Sequence, residues 1–310
     1  MLALEIAIAI VVVYFIAKAL RGQWADFQTH RLAVHARWGW IVASTAAVLA
    51  TYLALIETWR RIIAHWGGHI AFADAARVWF ASNLAKYIPG AVAQLGAIGY
   101  MARSDRLSGV AASGAAVLNV VVNLATGTAI ALLAGSAAMR HLPAYYETVG
   151  IAFGVASVAG LALLPRLLPW LVAVAGRVTG RRLVVERLPA RAVIDSAIGN
   201  LVAWAGYGVA LQFLVLGLFG DRGGSTLAYV AAFAAAYVVG YLVLIMPGGA
   251  GVREGTLILI LPALVPGLST AEAGFVAIAS RIIMTVLDLV PGLVYLARTT
   301  ALERKAGSPR

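Results

Sequence analysis

Long apolar runs alternate with short, basic, polar stretches along this chain. A hydrocarbon core of ~30 Å takes about 20 apolar residues as a helix. Six runs meet that length: roughly 2–20, 38–58, 109–135, 148–170, 192–218 and 271–298. Two more, 72–102 and 226–265, are as apolar but interrupted, the first at Pro89-Gly90 and the second at Pro247-Gly248-Gly249. Both follow one plan. A helix rich in alanine and aromatics meets Pro-Gly, and then come a short second helix, a polar stop and one long helix. Residues 72–135 and 226–298 therefore read as two copies of one unit, and paired interruptions of this kind are the best sequence pointer to a transporter-like site.

Broken backbone at membrane depth survives only when packed in protein or lining a polar cavity. Each break thus predicts a re-entrant hairpin rather than a failed span. The expected fold is all-α: a polytopic integral membrane bundle of about six full transmembrane helices plus two re-entrant hairpins in an inverted repeat. One membrane domain covers 1–300, and 301–310 is expected to be a loose cytoplasmic tail. Residues 2–20 lack a basic leader, carry Glu5 and approach spanning length, so they read as a retained helix rather than a signal peptide.

Composition agrees with the pattern: of 310 residues, 62% are hydrophobic and only 12% charged, with a mean hydropathy of +0.90. The net charge of +11 points to loop arginines beside anionic lipid rather than to nucleic acid. With no cysteine, disulfides, thiol nucleophiles and cysteine metal sites are excluded. If both interruptions are re-entrant, Arg60-Arg61, Arg103, Arg106, the arginine-rich 177–191 loop and the C-terminus share one side, cytoplasmic by the positive-inside rule. Arg21, Arg31, Arg37, Arg140 and Arg222 fall opposite. A rival reading makes 72–102 one kinked span and puts loop 21–37 inside; both keep 177–191 and the C-terminus inside.

The polar residues within the apolar runs are the candidate chemistry. Gly248, Gly249 and Gly251 permit backbone angles closed to other residues, and the helix that follows them offers free N–H groups and a positive dipole end to an anion. Arg253 adds a forked cation suited to phosphate. Glu254 balances it, relays a proton or meets a cationic head group; bracing of the turn by both residues is the alternative. Arg281 and Asp288 lie about two helical turns apart on one face, placed to pair with Glu254 and Arg253 or to form purely structural ion pairs. In the first copy Lys86, Tyr87 and Gln94 flank the break; Lys86 attracts an anionic head group or snorkels to the surface. Asn119 and Asn123, one turn apart, are substrate contacts or interhelical glue, with Asn119 near the place Arg281 takes in the second copy. His65 and His69 have a metal-like spacing, but Gly67 and Gly68 argue against a regular helix there, so no metal site is expected. Asp195, near the start of its helix, reads as a cap or a partner of the helix dipole. No P-loop, nucleophile elbow or DNA-binding motif is present.

"KYIPG" in one half and "MPGGAGVREG" in the other give the chain a resemblance to the lysylphosphatidylglycerol synthase transmembrane region, the flippase-like membrane family. "SRIIMTVLDLVPGLVYL" is similar to that family's closing helix, with Arg281 and Asp288 in its polar positions. The resemblance covers nearly all of 1–300. It implies a bundle that translocates polar-headed lipids: phospholipid, aminoacylated lipid or polyprenyl-phosphate-linked sugar. The synthase's aminoacyl-transferase domain has no counterpart here, so the expectation is a non-enzyme without cofactors. Its partner is a membrane lipid with an anionic or zwitterionic head group. The alternative is a non-transporting membrane partner that presents lipid to a glycosyl- or aminoacyl-transferase. The expected location is the inner membrane, multi-pass.

Overall fold

The computed structural model describes residues 36–87, 92–103, 107–139, 144–179, 189–243, 249 and 251–306. The run 2–20 lies outside them, so five helices long and apolar enough to cross a membrane are seen among the described residues. In chain order the helices are α1 (Trp38–Ala64), α2 (Phe72–Asn83), a 3₁₀ turn (Leu84–Tyr87), α3 (Val92–Met101), α4 (Gly109–Met139), α5 (Ala144–Thr179), α6 (Ala190–Phe219), α7 (Thr226–Leu242), α8 (Val252–Leu264) and α9 (Thr270–Ala306). The chain is a polytopic all-helical membrane bundle. Helix α9 runs on through residues 301–306, where a loose tail was expected. Ala-Leu-Glu-Arg-Lys-Ala are all good helix formers, and the first breaker is Gly307.

Helices α1 and α6 form an antiparallel central pair. At one end the Arg37 amide donates to the Gly217 carbonyl (2.8 Å); at the other, His65 Nε2 meets Asp195 Oδ2 (2.8 Å). Small residues set the close approach between these ends. Ser44 Oγ donates to the Ala210 carbonyl (2.7 Å), and a Cβ on Gly206 or Gly199 would overlap Thr51 or Thr58. The threonine hydroxyls are satisfied within their own helix, on Ala47 and Ala54 carbonyls (both 2.8 Å). The hydroxyls of Ser44, Thr51 and Thr58 therefore line this seam with their hydrogen bonds met in a low-dielectric interior.

The two interrupted runs are hairpins. Helices α2, α3, α7 and α8 have 12, 10, 17 and 13 residues; at ~1.5 Å per residue none reaches ~30 Å. Each run leaves where it entered. A Cβ on Gly68, before α2, would stand 2.8 Å from Leu107, after α3. In the second run a Cβ on Gly224, before α7, would stand 2.9 Å from Val265, after α8. Arg222 also reaches Glu272 at the start of α9 (2.6 Å). The first base lies beside Ile63 at one end of the central pair. The second lies beside Phe219 at the other, where Arg222 sits 5.9 Å over the Phe219 ring. The hairpins thus enter from opposite ends, and 72–102 is not a kinked span.

The repeat extends to single residues. Leu107-Ser108 precedes α4 and Leu268-Ser269 precedes α9; both leucines are buried. Both serine hydroxyls accept from the backbone three residues on, Ser108 from Ala111 (3.1 Å) and Ser269 from Glu272 (3.3 Å), as N-caps do. Counted from these caps, Asn119 aligns with Ser280, next to Arg281, near which it was expected. The capping bonds fix the register that apolar pattern alone left loose.

Candidate substrate site at the hairpin tips

Both hairpin tips address the middle of α9. In the second, Gly249 (φ +67°) and Gly251 (φ +82°) take left-handed backbone angles, which glycine alone adopts without penalty. A Cβ on Gly249 would stand 2.8 Å from the Gly240 carbonyl of α7, so glycine is needed there twice over. Gly251 is the N-cap of α8, and its N–H donates to Glu254 Oε2 (2.7 Å). This is the reaching-back half of a capping box. The other Glu254 oxygen faces Arg281 Nη1 of α9 (3.5 Å), so the expected Arg281–Glu254 pair is present.

Arg253 makes a different set of contacts from the one expected. It donates to Ser280 Oγ (3.3 Å) rather than pairing with Asp288, and its guanidinium lies over the Phe233 ring at 4.8 Å. Its Nε is buried with no hydrogen-bond partner among the described residues. Phe233 in turn stacks on Tyr207 (4.7 Å between centroids). A desolvated guanidinium on a ring face gains a cation–π attraction, but one donor is left unmet.

The first hairpin contributes amides. Gln94 Nε2 of α3 donates to Asn83 Oδ1 of α2 (2.6 Å), and Asn83 Nδ2 donates to Asp288 Oδ1 of α9 (3.2 Å). This relay ties both arms of the hairpin to the buried carboxylate. Sequence reasoning missed Asn83, Ser280 and Phe233. Asn83 carried a usable signal, a carboxamide in the last turn before a Pro-Gly break. Ser280 and Phe233 gave none, because each gains its role from a partner 27 or 20 positions away.

Arg253, Glu254, Asp288, Asn83 and Ser280 are all buried, with Arg253 at 6%, Glu254 at 5% and Asp288 at 1% exposure. These groups are packed against one another. The cavity beside them is lined mostly by apolar side chains, among them Val48, Leu214, Phe233, Ile283 and Met284. Gly248 and the side chains of Lys86 and Tyr87 lie outside the described residues.

Asn119 and Asn123 form a second cluster, between α4 and α6. Asn119 Oδ1 accepts from Ser196 Oγ (3.0 Å) and Asn200 Nδ2 (2.9 Å), while Asn123 Nδ2 donates to Asn200 Oδ1 (2.6 Å). These bonds cross helices, the geometry of interhelical glue. Of the two readings of Asp195, the cap is not seen, since Pro189 stands at the N-cap of α6; Asp195 lies in the second turn of that helix and binds His65. His69 is exposed.

Opposed re-entrant hairpins, an inverted repeat and charges buried at the tips define a class, the polytopic membrane proteins built from paired helix-and-hairpin units. The chain belongs to the lysylphosphatidylglycerol synthase TM region family, whose pattern it matches over residues 2–292. A comparison with curated proteins gives no match.

Proposed function

We propose that the chain is a flippase-like transporter that carries the polar head group of a lipid across the inner membrane, with its C-terminus cytoplasmic. The observation that carries this reading is the convergence of two oppositely inserted hairpins on the stretch of α9 bearing Ser280, Arg281 and Asp288. Inverted hairpins around a fixed midplane site are the architecture through which alternating access works, and buried ionisable groups at that depth are costly enough to mark function. The lipid is a phospholipid, an aminoacylated lipid or a polyprenyl-phosphate-linked sugar.

The phosphate would meet Arg253, whose Nε is already desolvated and unmatched, at the start of α8, where the helix dipole favours an anion. Glu254, Arg281 and Asp288 would exchange partners as one hairpin loosens and the other closes. The tails remain in lipid. No catalytic step is assigned to the chain. Reconstituted in proteoliposomes, it should move a fluorescent phospholipid head group between leaflets, and folded Arg253→Ala and Glu254→Ala variants should lose at least ten-fold in rate, about the effect of 1.4 kcal/mol on a barrier. Unchanged rates in both variants would reject the assignment. An inert wild-type chain that co-purifies with a transferase would favour lipid presentation instead.

A further inference from the structure

Arg253 reaches away from the helix start to which it belongs. A Cβ on Gly240 would stand 3.0 Å from the Arg253 Cβ, so the root of that side chain lies beside Gly240, near the hairpin tip. Phe233, over which the guanidinium lies at 4.8 Å, comes seven residues earlier on α7, about 10 Å nearer the hairpin base at ~1.5 Å per residue. Side chains ordinarily lean towards the start of their own helix; Arg253 runs the other way, from the tip into the bundle. Its hold there is weak. The ring attracts the charge but offers Nε no lone pair, and Nε has no hydrogen-bond partner among the described residues. The bond to Ser280 is long, 3.3 Å, and its acceptor is neutral. The neighbouring carboxylates bond to other groups, Glu254 to the Gly251 N–H and Arg281 and Asp288 to Asn83. Water does not make up the difference, since Arg253 is 6% exposed and Phe233 3%.

We infer that Phe233 is a berth for Arg253: the ring holds the guanidinium while no anion is bound, and a phosphate draws it off the ring towards the start of α8. This rests on the transport reading above and adds that ring and lipid compete for one cation. Phosphate oxygens match the planar fork with two short charge-assisted bonds, which a ring face cannot give, and the α8 dipole favours the anion. A carboxylate partner would hold the arginine too firmly to be displaced. No partner at all would leave a bare charge in a low-dielectric interior. A ring face lies between these extremes. Only the molecules whose Arg253 has left the ring are ready to bind, and apparent affinity falls in proportion to that fraction. Phe233 therefore sets the affinity without touching the lipid; it is a positioning residue that acts through Arg253.

Phe233→Leu removes the ring but also its stack on Tyr207, so a fluorinated series carries the test. Mono-, di- and trifluorophenylalanine at position 233 withdraw charge from the ring face and hardly change its size. Binding of dihexanoyl-phosphatidylglycerol to the full chain in detergent, measured by calorimetry, should tighten stepwise with each fluorine, about ten-fold across the series. A ring that only fills space predicts a flat series, and a ring that presents Arg253 to the lipid predicts falling affinity. Either result, or no measurable binding to the unmodified chain, overturns the inference. Translocation of a fluorescent phospholipid in proteoliposomes, run in parallel, separates the two readings. Stepwise tightening in a chain that moves no lipid sinks the transport reading and leaves the berth standing. Arg253-dependent translocation with a flat series sinks the berth alone.

Discussion

Replacing Arg253 with methionine separates a binding role from a bracing one. The interactions lost are few. The Ser280 bond is long at 3.3 Å and contributes about 1 kcal/mol. The stack on Phe233, at 4.8 Å, adds about 2 kcal/mol in a desolvated setting. Two costs are relieved in return. The unmatched Nε carries a penalty of about 1–3 kcal/mol, and keeping a guanidinium out of water costs several kcal/mol even after relaxation. Methionine retains the length and flexibility to fill the same space, and Ser280 keeps its bond to the Ala277 carbonyl (2.8 Å). Arg253→Met should therefore leave the protein as stable as before or stabilise it by about 2 kcal/mol, while translocation falls to background. A brace predicts the opposite sign, a loss of about 3–5 kcal/mol as when one member of a buried pair is removed. Reversible unfolding in mixed micelles, run beside the proteoliposome assay, reads both quantities. A destabilisation beyond about 3 kcal/mol with transport intact would refute the reasoning.

Two further outcomes follow from the same contacts. Glu254→Gln and Arg281→Gln should couple by about 1 kcal/mol in a double-mutant cycle, modest because the pair is 3.5 Å apart and Arg281 is partly exposed; unfolding free energies that simply add would show that the pair is not made. Asn119→Leu removes the acceptor of the Ser196 hydroxyl and of one Asn200 Nδ2 hydrogen, Asn200 keeping its bond to the Ser196 carbonyl, and should cost about 1–3 kcal/mol, with transport per folded molecule unchanged; a selective loss of transport would move the α4–α6 cluster into the site.

The architecture was legible because membranes leave few options. A proline-glycine break inside an apolar run cannot face lipid with unmet backbone groups, so two such breaks already implied two buried hairpins. The Arg281–Glu254 pair was legible for a similar reason, since charges at that depth must find each other. Partnerships between neutral or surface groups were not. Nothing in the local sequence around Asp195 announces His65, which lies 130 positions away. Asn83 joins Asp288 only because the fold lays α2 against α9. Arg253 rests on an aromatic ring because Gly240 and Gly249 let α7 and α8 touch near the tip, a consequence of backbone proximity that hydropathy does not record.

The seam between α1 and α6 limits how such a protein can move. Ser44, Thr51 and Thr58 recur once every two turns, facing Ala210, Gly206 and Gly199. Helices meshed this closely behave like a rack against its pinion: a slip of a fraction of a turn drives a threonine methyl into a neighbouring backbone. The central pair is then a rail of fixed length and pitch. Under the proposed transport, displacement falls to the two hairpins, which pack on this rail through Phe233 on Tyr207 and Phe80 beside Tyr52. Each needs to travel no farther than its own short helices allow, one from each side, so a lipid could change leaflets while the rail stays still.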